Sequence, residues 1–573
     1  MTDRRSVLKG MACTAGVISV AGEAQLHPTV PWWKRATIYQ IYPRSFQDSN
    51  GDGIGDLPGI TSRLDYIKGL GIDAVWLSPH FASPNADNGY DISDYCAVMP
   101  EFGSMADFDT MLAGMKDRGI RLILDLVVNH SSDEHAWFTA SRASRNNPYR
   151  DFYIWRDGKG DQPPNNYPSF FGGPAWTRDE TTGQWYLHYF GRKQPDLNWE
   201  NPAVRDAVYD VMRFWLEKGV AGFRMDVIPF VSKQPGLPDL SPEQLKNPEY
   251  VYASGPKMHE YMQEMRREVL APYGAVAIGE AYGVTAEAAQ RLTDSRRGEL
   301  DMVLNFDVVR LDRDGWRKLP LSLPALKKVY ARLNAEVGPF GWNSVFQENH
   351  DNPRAVSHFG DDDPLWWERS AKALAVLLLT QPGTPFIYQG EEIGMTNYPF
   401  REIGEFNDVE VHGQWKDDVE TGKVPAATYL WDIAQTSRDN ARTPMQWSSQ
   451  SNAGFTRGKP WMPVNPNFTA INAATQTSKD SSVLGFYRRL IRWRSRQPDL
   501  AVSSYVDLLP DHPTLFLYRR GSVVVAINLS RQVQQVPLTG NPTIVLASDD
   551  DGATGQPGNL ILSGWTAAVV SLS

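Results

Sequence analysis

Cysteine is almost missing from this chain. Of 573 residues only Cys13 and Cys96 are cysteines. Cys13 falls in an N-terminal leader, so the mature protein keeps one thiol, with no internal disulfide and no thiolate metal site. Long apolar runs are missing too: the weakly apolar stretch 11–20 is too short and interrupted for a membrane span of ~20 residues. Positive charge is not in excess. The net charge of −10 argues against nucleic acid and anionic membranes as partners. Internal repeats and low-complexity tracts are also absent.

What is present is ordinary globular composition, 22% charged and 42% apolar, in a chain long enough for one large domain plus smaller ones. Nineteen Trp, with many Tyr and Phe, make a heavy aromatic load. Such rings either fill a large core or face sugar rings, and composition does not separate the two.

The first residues read as an export signal. Asp3-Arg4-Arg5-Ser6-Val7-Leu8-Lys9 resembles a twin-arginine motif, with Val7 where Phe is usual. The run 11–20 follows, then small residues at Ala21 and Ala24 suited to cleavage, which gives a leader of 1–24. A periplasmic monomer exported already folded is expected.

Beyond the leader, strand-like and helix-like patterns alternate. Strands are predicted at 37–46, 73–80, 122–130, 222–228, 275–281, 302–308, 344–350 and 384–389, with helices between them such as 57–70, 105–118 and 484–496. Eight such units indicate an α/β fold, a parallel (β/α)8 barrel. A doubly wound sheet is disfavoured because no Gly-rich phosphate turn follows the first strand. The barrel would comprise 32–130 and 201–502. The interval 131–200, aromatic and rich in Pro and Gly, is too long for a structureless loop and reads as an inserted domain. A second excursion covers about 395–450. Short strands at 514–518 and 523–529 place a C-terminal antiparallel β-sandwich at 503–573.

The stretch Gly222-Phe-Arg-Met-Asp-Val-Ile228 organises this pattern. A helix precedes it, with Val204, Val208, Val211, Met212, Trp215 and Leu216 on one face, Asn201 as N-cap, Pro202 in the first turn and Gly219 as the stop. Asp226 and Arg224 then lie near the carboxyl end of a parallel strand, where barrel enzymes keep their chemistry. Three other strands end in polar residues that an apolar core would not select: Asp125-Leu-Val-Val-Asn129-His130, Ile278-Gly-Glu280 and Glu348-Asn-His-Asp351. Any one could be a structural polar group, whereas four converging on one mouth make an active site. Three carboxylates there suit glycoside chemistry, with a nucleophile and an acid/base roughly 5 Å apart for retention.

Asp48-Ser-Asn-Gly-Asp-Gly-Ile-Gly-Asp56 has calcium-loop spacing. Asp48, Asn50, Asp52 and Asp56 supply oxygen side chains, Ile54 a carbonyl, and Gly53 the sharp turn. The twelfth position is Gly59 rather than Glu, which favours a structural Ca2+ site over a sensor; the alternative is an Asx-rich turn without metal. No organic cofactor is expected.

The strings DLVVNH (125–130), GFRMDVI (222–228), IGEA (278–281) and ENHDNPR (348–354) resemble the signature regions of the α-amylase superfamily of glycoside hydrolases. DNGYDISDY (87–95), QPDLNWENP (194–202), GTPFIYQGEEIGM (383–395) and SRDNARTPMQW (437–447) resemble its oligo-1,6-glucosidase, α-glucosidase, dextran glucosidase and sucrose isomerase branch. The resemblance implies Asp226 as nucleophile, Glu280 as acid/base and Asp351 as transition-state stabiliser. It implies that Arg224 orients Asp226 and that His130 and His350 bind glucose hydroxyls. It also implies that Asp87 and Arg442 pair at a closed pocket end, Tyr90 stacks beneath the ring and Gln194 lies in the pocket. Such a pocket takes terminal glucosyl units, and Val227 accompanies α-1,6 linkages in this branch.

After the sixth strand, Arg310-Leu-Asp-Arg-Asp314 resembles the motif of sucrose isomerases. Isomerisation needs the released fructose to stay and attack again before water does. Arg310 and Arg313 would hold it, and Phe306 would wall it from water; a solvated, salt-bridged loop is the plainer alternative. Tyr282 stands where these isomerases usually have Phe, partnering Phe306, and its hydroxyl could position water. Phe171 and Phe190 resemble the remaining aromatic lining. The leading expectation is conversion of sucrose to isomaltulose or trehalulose, with some hydrolysis. An exported α-glucosidase acting on short α-glucosides comes second. A catalytically dead relative, such as a transporter-subunit ectodomain, comes third, disfavoured by the three retained acids and the lack of a span.

Overall fold

The computed structural model describes residues 30–572. The leader 1–24 and the cleavage expectation lie outside the described residues.

Eight parallel strands form the core: β1 (Ile38–Ile41), β2 (Ala74–Leu77), β3 (Arg121–Leu126), β4 (Gly222–Met225), β5 (Val276–Glu280), β6 (Met302–Leu304), β7 (Ser344–Val345) and β8 (Thr384–Tyr388). Neighbours run in the order β6, β5, β4, β3, β2, β1, β8, β7. A single parallel bridge between Val303 and Asn343 joins the two ends, so the sheet curls into a nearly closed barrel. β1, β2, β4, β5 and β8 are buried along their whole length, as parallel strands covered on both faces must be. Register at the centre pairs Asp125 with Arg224 and Arg224 with Ile278, which sets β3, β4 and β5 side by side.

The helix before β4 runs Pro202–Lys218. Asn201 caps it by accepting from the Ala203 amide, and Gly219 stops it at φ 107°. Its buried face carries the six predicted apolar residues together with Tyr209. Elsewhere the strands are shorter than predicted. The first ladder ends at Ile41, because Pro43, with no N–H to give, opens the helical turn Pro43–Ser45. The seventh covers Ser344–Val345 only; residues 346–350 leave the ladder and turn their polar side chains inward. The helix predicted at 57–70 is two helices, Leu57–Ser62 and Leu64–Leu70, broken at Arg63.

Between β3 and Pro202 the chain forms the helix Ala136–Ala143 and a small antiparallel sheet of Trp155–Arg156, Trp185–Leu187 and Trp176–Arg178. Its aromatic core includes Tyr167, Trp176 and Tyr189, joined by Phe230 and Tyr252 from the segment after β4. The Tyr189 and Tyr252 rings stack at 4.0 Å, fastening this insert over the barrel mouth. After β8 a second excursion carries helices Val409–Gln414 and Ala426–Thr436 around Phe400, Phe406 and Tyr429. The last barrel helix is Val483–Ser495. At the C-terminus a five-stranded and a three-stranded antiparallel sheet share an apolar core. No helix among the described residues is long and apolar enough to cross a membrane. Much of the aromatic load is core: Trp76, Trp176, Trp199 and Trp215 are fully buried.

Candidate active site

The fully buried guanidinium of Arg224 lies beneath the mouth. Its Nη1 donates to Asp125 at 2.9 Å and to Asp226 at 2.8 Å, while Nη2 donates to Glu280 at 2.5 Å. One cation thus ties three carboxylates from adjacent strand ends, with the Trp76 ring 5.0 Å away. Burial works against its charge, but the three carboxylates outweigh burial and keep it protonated.

Beyond Asp226 the chain turns sharply. Val227 sits at φ 33°, ψ 38°. A β-branched residue in the left-handed region costs about 1–3 kcal/mol. The turn aims the Val227 amide at Glu280 Oε2, 3.1 Å away. That oxygen therefore accepts from two donors, and Glu280 has Oε1 left to carry a proton. Burial and the nearby Glu280 push Asp226 well above the ordinary carboxylate range, against the pull of Arg224. Bridging by one guanidinium holds the two carboxylates close together, as a retaining pair, spaced roughly 5 Å apart, requires.

Asp351 is held differently. Its Oδ1 accepts from Arg442 at 3.0 Å and Arg438 at 3.3 Å, and its Oδ2 lies 3.0 Å from His350 Nε2. Burial tends to raise it, but His350, Arg438 and Arg442 together hold it well below the usual range. Asp351 therefore stays a carboxylate able to oppose developing positive charge. Gln40 Nε2 meets His350 Nδ1 at 2.7 Å, Tyr90 Oη lies 2.5 Å from Nε2, and the Tyr90 hydroxyl donates to Asp125 at 3.0 Å. The Tyr90 and His350 rings stack at 5.3 Å.

At the inner end, Asp87 accepts from Gln194 Nε2 at 3.1 Å. Burial pushes its carboxyl up to about 7, against Arg438 and Arg442. The cation that reaches Asp87 is Arg438, at 3.5 Å, and not Arg442 as expected. Both arginines stand one helical turn apart, and Arg442 is committed to Asp351 and the His350 carbonyl. Arg438 is itself gripped by Asp408, through Nε at 2.8 Å and through Nη2. The second oxygen of Asp87 and Nη1 of Arg442 are buried without hydrogen-bond partners among the described residues, an acceptor and a donor open to sugar hydroxyls. Burial pushes His130 down to about 3, so its imidazole is neutral.

Aromatic rings form the outer rim. Tyr282 meets Phe306 edge-on at 5.8 Å, and the Arg310 guanidinium lies 5.0 Å from the Tyr282 ring. Phe190 packs 5.7 Å from Phe171 and 5.1 Å from Phe170. The RLDRD segment leads into a two-residue hairpin, Arg313–Asp314 against Arg317–Lys318, turning at Gly315. Asp312 anchors it inward, accepting from Lys318 and lying 2.7 Å from His358 Nε2. Despite burial, these partners hold Asp312 at about 2. Trp316 fastens the hairpin to the second excursion, donating to Asp418 at 3.0 Å. Arg313 is left with Nε and Nη2 buried and without a hydrogen-bond partner among the described residues.

All of the predicted pocket residues except Arg224, His350 and Arg442 line one open cavity; those three stand behind it. Sequence reasoning missed Phe170, Asp408, Glu410, Trp316 and Arg438, which also line it. Arg438 lies inside the quoted SRDNARTPMQW string, so two arginines a turn apart were the available signal.

The calcium-type loop is wound by backbone contacts. Asp48 accepts from the amides of Asn50, Gly51 and Gly53, at 2.7–2.9 Å, and from the Thr456 hydroxyl. Asn50 and Asp52 accept from the amides two residues on, and Asp56 caps the next helix through Gly59. Gly53 holds φ 96° where the sharp turn was expected. No group of three or more His, Cys, Asp or Glu among the described residues gathers to hold a metal.

A parallel barrel whose mouth gathers carboxylates around a sugar-sized cavity defines a carbohydrate-active enzyme working on glycosidic bonds. The alpha-amylase catalytic domain matches residues 40–503, and the chain belongs to that family. An oligo-1,6-glucosidase of Halalkalibacterium halodurans is 49% identical over 94% of this chain and 98% of its own. A glucan 1,6-alpha-glucosidase of Streptococcus dysgalactiae is 46% identical over 95% and 99%. The crystal structure of the trehalulose synthase from Pseudomonas mesoacidophila matches with TM-score 0.94 at 52% identity, covering 95% of this chain and 100% of that one. An isomaltulose synthase mutant of Erwinia rhapontici, solved with its natural substrate sucrose, matches with TM-score 0.93 at 51% identity, with the same coverage.

Proposed function

We propose that the protein isomerises sucrose. The observation that carries this reading is the outer rim: the Tyr282–Phe306 pair beside Arg310, and the buried Arg313 donors with no partner among the described residues. Asp226 attacks the anomeric carbon of the glucosyl unit, the bond to fructose O2 breaks, and Glu280 gives that oxygen its proton. Asp351 stabilises the positive charge on the sugar ring. Fructose, held by Arg310 and Arg313, then attacks through O6 or O1 and returns its proton to Glu280, releasing Asp226. Water that reaches the intermediate gives glucose and fructose instead.

A second reading, hydrolysis of terminal α-1,6 or α-1,2 glucosyl bonds, is favoured by Val227 after the nucleophile and by the Tyr282 hydroxyl, which has no hydrogen-bond partner among the described residues. The curated relatives named above are 1,6-glucosidases. Incubation with sucrose, with the sugars resolved over time, separates the readings. Disaccharide isomers as the main product support the isomerase, and equal glucose and fructose alone refute it.

The leader and the acidic loop carry two further proposals. Export to the periplasm is supported by the twin arginines and is tested by cell fractionation; a cytoplasmic pool alone would refute it. A structural Ca2+ bound by Asp48, Asn50, Asp52, Asp56 and the Ile54 carbonyl is supported by the all-oxygen donor set. Chelation should then lower Tm and added Ca2+ restore it, and an unmoved Tm would remove the metal. The protein is proposed to act as a monomer, which its mass in solution tests.

A further inference from the structure

Lys233 lies seven residues beyond Asp226, outside the cavity lining, with its side chain 8% exposed. Its ammonium donates to Asn129 Oδ1 at 2.8 Å and to the Phe230 carbonyl at 2.6 Å, and pairs with Asp196 Oδ2 at 2.6 Å. The Tyr189 ring is 4.2 Å away. Three segments meet here: the end of β3 next to His130, the insert two residues past Gln194, and the turn after the nucleophile.

An ammonium has no lone pair to offer, so the atom of Asn129 facing it must be the oxygen. The Asn129 amide nitrogen is thereby turned the other way. It lies 3.2 Å from His130 Nδ1 and 3.5 Å from Asp196 Oδ1. Asp196 supports the same orientation, since an oxygen of Asn129 would be repelled there. A nitrogen approached by an NH2 group must accept, so Nδ1 of His130 is bare and its proton sits on Nε2. On the other side Nε2 finds the Tyr90 carbonyl at 3.1 Å. Gln194 Nε2 is also close, at 3.3 Å, but its two protons are taken by Asp87 Oδ2 at 3.1 Å and the Tyr90 carbonyl at 3.4 Å. Its oxygen accepts from the Gly191 amide at 2.9 Å, which fixes that side chain's orientation too.

We propose that Lys233 is a positioning residue that sets the tautomer of His130, so that its one proton sits on Nε2, at the glucosyl end of the cavity, where the Tyr90 carbonyl and a sugar hydroxyl share it. The ion pair with Asp196 holds the ammonium in place, and Asn129 passes its orientation on to the ring. The inference rests on His130 as a sugar-binding group and is indifferent to whether fructose or water takes the glucose away.

The test is NMR of the full enzyme labelled with [15N]histidine, with His130 assigned by loss of its signals in His130→Gln. The wild type should show His130 protonated on Nε2 alone. Lys233→Met frees Asn129 to turn over, and the His130 signals should shift toward a mixture of tautomers. Loss of one oriented hydrogen bond, about 0.5–1.5 kcal/mol, corresponds to a rise in KM of roughly 2- to 13-fold, with kcat falling less. Lys233→Arg, still purely a donor, should restore the Nε2–H pattern. Asn129→Asp, which places an acceptor opposite Nδ1 whichever way it turns, should invert the tautomer, and it serves also if Lys233→Met does not fold. A pure Nε2–H pattern retained in both Lys233→Met and Asn129→Asp overturns the proposal. An enzyme inactive on sucrose would refute the function proposed above yet leave the NMR result readable.

Discussion

Tyr282→Phe isolates one oxygen atom at the point where the fate of the glucosyl-enzyme is decided. The ring keeps its edge-on contact with Phe306 at 5.8 Å and its place beneath Arg310 at 5.0 Å, since neither contact uses the hydroxyl. Among the described residues nothing hydrogen-bonds that hydroxyl, and burial pushes it up to about 12, so it is a neutral group free to orient a water molecule. One such hydrogen bond, lost from the hydrolytic transition state and not from the fructose one, is worth about 0.5–1.5 kcal/mol, or roughly 2- to 13-fold in partitioning. Both product sets come from the same intermediate, so the ratio of glucose to isomerised disaccharide reads this difference directly, independent of enzyme concentration. The variant should lower the hydrolysed fraction by that factor. An unchanged or increased fraction would refute the assignment of Tyr282 to water.

Three other expectations follow from the site. Arg438→Met leaves Asp408 buried without its partner, a situation that costs about 3–5 kcal/mol; kcat/KM on sucrose should fall at least 100-fold, and a loss below 5-fold would remove Arg438 from the pocket's charge balance. Asp312→Ala releases the hairpin anchored by Lys318 and His358, and the isomerised fraction should fall with little change in total sucrose turnover; an unaltered product ratio would show that Arg313 needs no such anchor. Glu348 is pushed up to about 7 by burial, against the opposing pull of Arg354. It therefore takes up a proton on folding, so its contribution is fully present below an unfolded pKa of about 4.3 and is lost as pH rises through about 7, about 3–4 kcal/mol in all. The fall of apparent Tm between pH 5 and 8 should be shallower in Glu348→Gln, and an identical fall would refute the linkage.

Much of the fold was legible where local chemistry and packing agree. The helix Pro202–Lys218 has a capping Asn, a Pro where no N–H is missed, an apolar face at helical spacing and a Gly that accepts φ 107°. Strand ends were overread for a physical reason: at 346–350 no Gly or Pro marks a stop after the apolar Val345-Phe346, yet the chain departs from the ladder to bring His350 and Asp351 inward. The carboxylates could be picked out because acids at the ends of apolar strands have no packing use. The partner of Asp87 could not, because choosing between Arg438 and Arg442 depends on which face of one helical turn meets the pocket. Asp408 caps a short helix that carries Glu410, in an excursion without periodicity, so no pattern marked them.

Sharing one guanidinium among Asp125, Asp226 and Glu280 has a consequence for timing. Once Asp226 is esterified to glucose it carries no charge, and the positive field of Arg224 falls on the two remaining acids alone. Glu280 simultaneously loses a negative neighbour, and its 2.5 Å contact with Arg224 Nη2 has one fewer competitor at the moment it has delivered its proton to the leaving sugar. When the ester breaks, the negative charge returns and the guanidinium is again divided among three acids. The same side chain can thus act first as acid and then as base without any movement of the backbone, its phase kept by the covalent state of the residue beside it.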